Sequence, residues 1–213
     1  MFITFEGPEG CGKTYQIALL TEYLQQLGFP IFSTREPGGT SIGDQVREIL
    51  FDHKNMEMHP RTELLLFQAS RAQLVQQVIL PRLAQGDVVL CDRYADSTLA
   101  YQGFGHRQFD LEQVKTLVDF ATRGLKPDMT CLLEVEVEEG LRRKVQGGEW
   151  NRLDAYDLDF HKRVWNGYLS LAAAEPERWV VINASNPPDV VQEDIRRVVL
   201  DRLGGKIPPK KST

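Results

Sequence analysis

Short, continuous apolar runs alternate along the chain with longer segments in which apolar residues recur at helical spacing. The apolar runs predict strands over residues 2–5, 30–34, 88–91, 129–135 and 179–182. Runs that are apolar on both faces are typical of parallel sheets. After the first run, one helical face carries Ile17, Leu20, Leu24 and Leu27. The alternation predicts an α/β fold in which a five-stranded parallel sheet is covered by helices.

The same periodicity predicts the remaining helical segments. They cover residues 44–51, 61–85, 111–123, 139–145, 154–174 and 189–203. We expect Pro81 to kink the second of these segments, and Gly103 with Gly105 to break the helical turns that follow residue 93. No repeat or linker divides residues 1–203, so we predict one domain there. The Gly-, Pro- and Lys-rich residues 204–213 are expected to form a disordered tail.

A glycine-rich loop lies between the first predicted strand and the first predicted helix. It reads Gly7-Pro8-Glu9-Gly10-Cys11-Gly12-Lys13-Thr14. This spacing fits the P-loop, whose glycines let successive backbone N–H groups point at one phosphate. Lys13 would reach the β- and γ-phosphates, and the Thr14 hydroxyl would ligate Mg²⁺. The loop therefore predicts a nucleotide site, and its correct flanks disfavour a glycine-rich turn with a chance lysine.

Asp92 and Arg93 directly follow the third predicted strand. Ligands of open α/β sheets bind at the carboxyl ends of the strands. Asp92 could hold Mg²⁺ there, partly through water, as the partner of Thr14. Arg93 could bind a phosphate through two hydrogen bonds. The alternative for Asp92 is an ordinary aspartate at the end of a strand.

Other side chains could hold a second, polar ligand. Phe67 and Arg71 lie four apart on one helical face, where a ring and a guanidinium could stack on a base and bond its edge. Phe67 alone is better explained by core packing, but a buried arginine needs a partner. Arg47 could point at the same crevice, although a solvated helix charge is slightly favoured. A polar helix start and a small-molecule site are equal alternatives for the cluster Ser97, Tyr101 and Gln102.

Two charged features bear on phosphate transfer. Glu9 would repel phosphate if it pointed into the loop, so we expect it to accept a hydrogen bond from a hydroxyl of the acceptor. The break Gly147-Gly148 is flanked by the basic residues Arg142, Arg143, Lys144 and Arg152. Such a segment suits a lid, here about residues 142–153, that stabilises charge on the transferring group. The alternative is a solvated helix face.

Charge and cysteine content narrow the class of protein. The formal net charge of −5 argues against a general nucleic-acid binder. The three cysteines are far apart and lack metal-site spacing, which fits a reducing compartment. No apolar run approaches the roughly 18 residues that cross a bilayer, and no signal-peptide pattern begins the sequence. We therefore expect a cytoplasmic protein without a membrane partner.

Taken together, these motifs identify a resemblance. The blocks GPEGCGKT, TREPGGT, FQASR, DRYADSTLAYQG and NRLD are similar to those of bacterial thymidylate kinases, from Phe2 to about Leu203. The resemblance implies a P-loop NTPase fold, a three-layer α/β/α sandwich with a short basic lid. It also implies phosphorylation of dTMP to dTDP with ATP and Mg²⁺ in a homodimer. The family commonly has a cis bond at Glu36-Pro37.

The resemblance also implies a role for each matching residue. ATP would lie on residues 7–14 with Arg142 and Arg143 above it. The implied dTMP contacts are Phe67 stacked on thymine, Arg71 on the base edge, Ser97 and Gln102 on the base, Tyr101 against the deoxyribose, Glu9 at the 3′-hydroxyl, and Arg47 with Arg93 on the phosphate. This P-loop has Gly10 where some relatives carry a catalytic arginine, so the lid would supply one. Arg152 fits best, with Arg142 and Arg143 as alternatives.

The sequence departs from the family pattern at two positions. Tyr15 stands where a second Thr is common, and Asp154 stands where Glu is common.

Three other interpretations of the function are open. A kinase for another nucleotide or nucleoside acceptor would share the fold. A nucleotide-hydrolysing switch protein would carry an NKxD motif, which the sequence lacks. A non-catalytic binding protein derived from such a kinase is disfavoured, because the sequence keeps Lys13, Thr14, Asp92 and Arg93.

Overall fold

The computed structural model describes residues 1–148 and 150–204. Five strands form one parallel sheet in the order β2-β3-β1-β4-β5. They are β1 (Phe2–Glu6), β2 (Ile31–Arg35), β3 (Val88–Asp92), β4 (Met129–Glu134) and β5 (Trp179–Asn183). The predicted α/β class is confirmed. The prediction for the tail beyond Gly204 lies outside the described residues.

Helices cover both faces of the sheet. The described helices are α1 (Lys13–Gln26), α2 (Ser41–Phe51), α3 (Pro60–Leu74), α4 (Leu80–Ala84), α5 (Ala95–Thr98), α6 (Leu111–Thr122), α7 (Val137–Gln146), α8 (Leu158–Ala174) and α9 (Pro188–Arg202). Short 3₁₀ turns occur at His53–Asn55 and Arg152–Ala155, and π-helical turns at Val75–Ile79 and Leu99–Gly105. Among the described residues, no helix is both long and apolar enough to cross a membrane.

Three helical predictions differ from the structure. Between α3 and α4 the chain passes through the π turn Val75–Ile79, and Pro81 lies in the first turn of α4, where a missing N–H is tolerated. Helical turns continue through Gly103 and end only at Gly105. The helix predicted from residue 154 begins at Leu158, because the Asp157 carboxylate accepts a 2.6 Å hydrogen bond from the Phe160 N–H and caps it.

The centre of the sheet positions the site. β1 is buried along its whole length, as expected for a strand with neighbours on both sides and helices on both faces. β1 and β3 are adjacent, with Phe5 opposite Asp92. The loop after β1 and the residues after β3 therefore emerge side by side at the carboxyl edge of the sheet, the usual place for ligands.

Candidate active site

The loop between β1 and α1 has the backbone of a phosphate cradle. Gly7, Gly10 and Gly12 all have positive φ angles, which side chains rarely tolerate. Lys13 is buried, and its Nζ donates to the carbonyl oxygens of Gly7 at 3.3 Å and Pro8 at 3.0 Å. The ammonium therefore lies over the loop, where a bound phosphate would be.

A hydroxyl and a carboxylate meet beside this loop. The Thr14 Oγ1 donates to the Asp92 Oδ2 at 2.6 Å. Among the described residues, no cluster of three or more His, Cys, Asp or Glu side chains is placed to hold a metal. Mg²⁺ commonly uses one or two protein oxygens and completes its shell with water and substrate phosphates. The Thr14–Asp92 pair therefore fits Mg²⁺ as a partial site that a nucleotide would complete.

Arg93 stands between two cavities at the end of β3. Its backbone is left-handed, with a φ of 67°, unusual for a residue with a side chain. Its guanidinium donates to the Gly7 carbonyl at 3.1 Å, to Tyr168 Oη at 3.0 Å and to Glu9 Oε1 at 2.7 Å. Burial alone would lower the pKa of Arg93, but Glu9 and its other neighbours hold that pKa well above its usual value. Arg93 is therefore a fixed positive charge.

Glu9 lies on the wall that the two cavities share. Its Oε1 accepts from Arg93 and, at 2.7 Å, from the Tyr101 hydroxyl. Burial alone would raise the pKa of Glu9, but the charges of Arg93 and Lys13 lower it to about 2. Glu9 therefore presents an ionised acceptor at the boundary between the two cavities.

The first cavity lies over the phosphate loop. Its wall includes Gly10, Gly12, Lys13 and Thr14 from the loop, together with Arg143, Lys144 and Gly147 from the end of α7 and the turn after it. The second cavity is lined by Glu9, Arg35, Glu36, Pro37, Arg47, Phe51, Phe67, Asp92, Arg93, Ser97, Thr98, Tyr101, Gln102, Lys144, Asn151 and Leu153. Both cavities share four wall residues: Glu9, Asp92, Arg93 and Lys144.

The second cavity brings most of the predicted acceptor residues together. Phe67, Tyr101 and Gln102 line it. Arg47 also lines it, and donates to the Pro37 carbonyl at 2.9 Å, so the interpretation as a solvated helix charge is wrong. Burial and the nearby Arg35 charge lower the pKa of Arg47, which marks a cation that an anionic ligand would stabilise. The Glu36-Pro37 bond is cis, as the resemblance implied.

Ser97 is held by a carboxylate that the sequence did not single out. Its hydroxyl donates to Glu6 Oε2 at 2.6 Å, and Tyr168 Oη donates to the same oxygen at 2.9 Å. Glu6 is fully buried, and burial, together with the charge of Asp96, raises its pKa to about 7. Arg93 also donates to the Ser97 Oγ at 3.3 Å, so internal partners engage this hydroxyl at the cavity wall.

Arg71 does not line the acceptor cavity of this structure. It is 1% exposed, and its guanidinium forms an ion pair with Glu36. It also donates to Gln68 Oε1, Thr98 Oγ1 and the Tyr94 carbonyl, all at 2.8 to 2.9 Å. These bonds occupy every edge of the guanidinium. The predicted direct contact with a base edge is therefore corrected: Arg71 supports the cavity wall from behind.

Arg152 is likewise placed elsewhere than predicted. It is 3% exposed and pairs with the buried Glu63 at 2.7 Å, while its Nε donates to the Leu50 carbonyl. It lines neither cavity, so its prediction as the charge over the transferring phosphoryl group is wrong for this arrangement. A buried arginine needs a buried carboxylate, and Glu63 supplies it.

Two cations at the end of α7 reach the phosphate cavity, in addition to Lys13 and Arg93. Arg143 lines that cavity, and is held by Glu139 at 2.8 Å and by the Ala184 carbonyl. Lys144 lines both cavities. Arg142 lines neither, and pairs with Glu139 on the surface. Sequence reasoning did not single out Thr98, Phe51 and Leu153, although Thr98 lies inside the DRYADSTLAYQG block.

A P-loop, a hydroxyl–carboxylate pair and a second cavity that shares a charged wall with the first define a P-loop nucleotide kinase. The thymidylate kinase family model matches residues 5–195. The chain is 50% identical to the thymidylate kinase of a Roseiflexus species, covering 93% of both chains, and 49% identical to that of Geotalea uraniireducens, covering 95% of this chain and 97% of the other. The chain belongs to the thymidylate kinase family.

A solved structure agrees with this assignment. The crystal structure of thymidylate kinase from Ehrlichia chaffeensis superposes with a TM-score of 0.77 at 33% sequence identity. The match covers 93% of this chain and 98% of that one. The similarity therefore extends over nearly the whole fold.

Proposed function

We propose that this protein transfers the γ-phosphoryl group of ATP to dTMP, giving ADP and dTDP, with Mg²⁺ as cofactor. The observation that carries the proposal is the shared wall of the two cavities. Glu9, Asp92, Arg93 and Lys144 face both, so two ligands bound there would meet at one charged boundary. Membership of the thymidylate kinase family supports this choice of acceptor.

The donor site would use the backbone of residues 7–14. Positive-φ glycines aim N–H groups at the phosphates, and the N-terminus of α1 adds its positive field. Lys13 would exchange its carbonyl partners for β- and γ-phosphate oxygens. Thr14 and Asp92 would hold Mg²⁺, which, when bound, neutralises phosphate charge as it moves between donor and acceptor.

The acceptor site would hold dTMP through its three parts. The Phe67 ring offers a face for the base. Tyr101 and Glu9, joined by a hydrogen bond of 2.7 Å, would meet the deoxyribose, with Glu9 accepting from its 3′-hydroxyl. Arg47 and Arg93 would bind the phosphate. The phosphate charge would stabilise the partly buried Arg47 cation, whose pKa burial and Arg35 lower.

The transfer itself needs positioning and charge stabilisation. A dTMP phosphate oxygen would attack the γ-phosphorus in line, forming one P–O bond while the bond to the ADP oxygen breaks. No general base is required, since the monoester is substantially dianionic at neutral pH. Arg93, which follows β3, would stabilise the negative charge on the transferring phosphoryl group from the carboxyl edge of the sheet. Arg143 and Lys144 would do so from the lid side, because they are the lid cations that line the phosphate cavity.

A homodimer in the cytoplasm completes the proposal. α3 and α6 pack together through Leu64, Val114 and Val118. On the outside of these two helices, Leu65 is 55% exposed and Phe120 is 85% exposed. Exposed apolar groups on paired helices suit an interface with a second copy of the chain.

A coupled assay of ADP release tests the function. The acceptor panel consists of dTMP, dUMP, dCMP, AMP, GMP and thymidine. The proposal requires turnover with dTMP that depends on Mg²⁺ and exceeds that with every other acceptor. Equal or greater turnover with another acceptor would contradict it.

A further inference from the structure

We infer that Glu6 is a positioning residue for phosphoryl transfer, because its buried carboxylate holds the Arg93 guanidinium on the wall that both cavities share. It does so through two hydroxyl groups, those of Ser97 and Tyr168. This inference rests on the proposed function, since it concerns how Arg93 is presented to the phosphates. Glu6 lines neither cavity, whereas Arg93 lines both. Glu6 would therefore act on the reaction through Arg93.

One end of the Arg93 guanidinium is bound to the interior of the protein. Its NH1 group donates to three oxygens, which are Tyr168 Oη at 3.0 Å, the Gly7 carbonyl at 3.1 Å and Ser97 Oγ at 3.3 Å. Its NH2 group donates to Glu9 on the shared wall. The backbone of Arg93 is left-handed, a conformation that surrounding contacts must hold. The NH1 contacts therefore fix where the rest of the guanidinium lies.

The Glu6 carboxylate orients the two hydroxyl groups. Its Oε2 accepts from Ser97 Oγ at 2.6 Å and from Tyr168 Oη at 2.9 Å. Its Oε1 accepts from the Tyr94 N–H at 2.8 Å. Each hydroxyl has one proton, and a carboxylate is a stronger acceptor than a hydroxyl oxygen. With both protons directed at Glu6, both hydroxyl oxygens turn lone pairs towards Arg93.

Without the carboxylate charge, the two hydroxyl groups would bond to each other. Their oxygens lie 2.9 Å apart, and either of them could donate. The hydroxyl that accepted this bond would have one lone pair fewer for Arg93. Glu6 and Tyr168 are both fully buried, which limits the access of water that could replace the lost contact. Loss of the charge should therefore loosen Arg93.

The groups that face Glu6 come from the end of β3, from α5 and from α8. Burial and the charge of Asp96 on α5 raise the pKa of Glu6. The charge of Arg93 and the hydrogen bonds from the two hydroxyls lower it, and the result is about 7. Arg93 stays charged, since its neighbours hold its pKa well above the usual value against the effect of burial. Arg93 should therefore be held most firmly above pH 7, where Glu6 is ionised.

Glu6→Gln tests the inference, because it keeps the shape and removes the charge. The Tyr94 N–H still requires an oxygen, so the amide would direct its NH₂ group at the hydroxyls and use lone pairs that serve Arg93. We expect kcat/KM for dTMP to fall by about 10- to 100-fold, with a higher KM for dTMP. The KM for ATP should change little, because Lys13 and the loop backbone hold the donor. A variant that is merely less stable would keep both KM values.

The pH profile of kcat/KM is a second readout. In the wild type, kcat/KM for dTMP should rise with pH through about 7, as Glu6 loses its proton. Glu6→Gln should lose this rise and keep that of the dTMP phosphate, whose second pKa is about 6. Tyr168→Phe removes one donor to the carboxylate, so the rise should move to higher pH.

Thr4→Val is the matched control. It also removes a buried polar group from β1, where Thr4 Oγ1 and Thr130 Oγ1 lie 2.8 Å apart. This hydrogen bond joins β1 to β4 and is not one of the contacts to Glu6 or Arg93 described above. The control should keep the wild-type KM values and pH profile, and thermal melting checks that each variant is folded.

Side-chain NMR separates a failure of this inference from a failure of the proposed function. Guanidinium groups that are held in place give separate Nη signals, whereas freely rotating groups give averaged ones. Arg93→Lys assigns the signals of Arg93, which we expect to be separate in the wild type and averaged in Glu6→Gln. If wild-type protein shows no turnover with dTMP, the proposed function is contradicted, and these signals still test the inference.

The inference is overturned if folded Glu6→Gln keeps the wild-type KM for dTMP and pH profile. It is equally overturned if the Nη signals of Arg93 are the same in both proteins. If Glu6→Gln does not fold, Tyr168→Phe decides. A rise of kcat/KM at the same pH as in the wild type would then reject the inference.

Discussion

Gly10 of the phosphate loop packs backbone against backbone on Gly140 of α7. A Cβ atom on Gly10 would overlap the Gly140 carbonyl oxygen, and one on Gly140 would overlap the Glu9 carbonyl. The contact leaves no room for a side chain at position 10. This gives a steric reason why the loop carries no arginine there, and it ties the loop to the helix that carries Arg143 and Lys144.

The first prediction concerns this contact. Gly10→Ala should destabilise the protein more than Gly28→Ala, measured as the free energy of unfolding. Both glycines have positive φ, but a Cβ on Gly28 meets nothing within 4 Å. Gly28→Ala should therefore cost only the left-handed backbone penalty of about 1–2 kcal/mol. Equal decreases in the free energy of unfolding of the two variants would show that α7 shifts to make room for the added methyl group.

The second prediction concerns Arg152 and Glu63. Arg152→Met should lower the free energy of unfolding by about 3–5 kcal/mol, because it leaves a buried carboxylate without its counter-charge. Because Arg152 lines neither cavity, we do not expect the loss of turnover of about 10³-fold that follows removal of an arginine in contact with the phosphoryl group. Thermal melting and kcat below the melting range are measured together. A 10³-fold loss of kcat in a fully stable variant would restore the catalytic role.

The third prediction compares the contributions to turnover of two cations in the proposed lid, Lys144 and Arg142. Lys144→Met should lower kcat by about 10²-fold or more, the scale of one electrostatic contact to a transition state. Arg142→Met is the matched control, since Arg142 is 59% exposed, pairs only with Glu139 among described residues, and lines neither cavity. Its kcat should remain near that of the wild type. Similar losses in both variants would point to general lid charge instead.

The fourth prediction concerns Glu6 and pH. Its pKa in the folded protein, about 7, exceeds the ordinary value of 4.5. Between these pH values the folded state keeps a proton that the unfolded state releases, so stability falls as pH rises. The shift corresponds to roughly 3 kcal/mol over that window. Glu6→Gln should remove this part of the pH dependence in urea unfolding, and Glu57→Gln, at an exposed site, should keep it.

The fifth prediction concerns the outer face of α3 and α6. Phe120→Glu should convert the proposed homodimer to a monomer in sedimentation experiments, because it places a charge where an apolar contact is expected. Tyr15→Glu, also an exposed aromatic but on α1, is the control and should keep the wild-type mass. A monomeric wild type would rule out the homodimer at the concentrations used.

What the sequence could predict follows from how far apart the interacting residues lie. The phosphate loop is one continuous segment with its strand and helix beside it, so its position was predictable. Arg71 and Arg152 meet carboxylates 35 and 89 residues away. The charge of these two arginines suggested that each binds a ligand, but in the folded chain each pairs with a buried glutamate. Glu63 and Glu6 lie in helical and strand patterns that give no sign of their burial.

The central place of β1 bears on how the chain becomes functional during synthesis. β1 leaves the ribosome before the other four described strands, but its neighbours are β3, beginning at Val88, and β4, beginning at Met129. Until both have emerged, β1 lacks its sheet partners, and such distant pairings form slowly. Nascent chains that end before β4 should therefore not retain nucleotide. Nucleotide should stabilise the folded state of the chain only once β4 is in place, because a ligand stabilises the state that binds it.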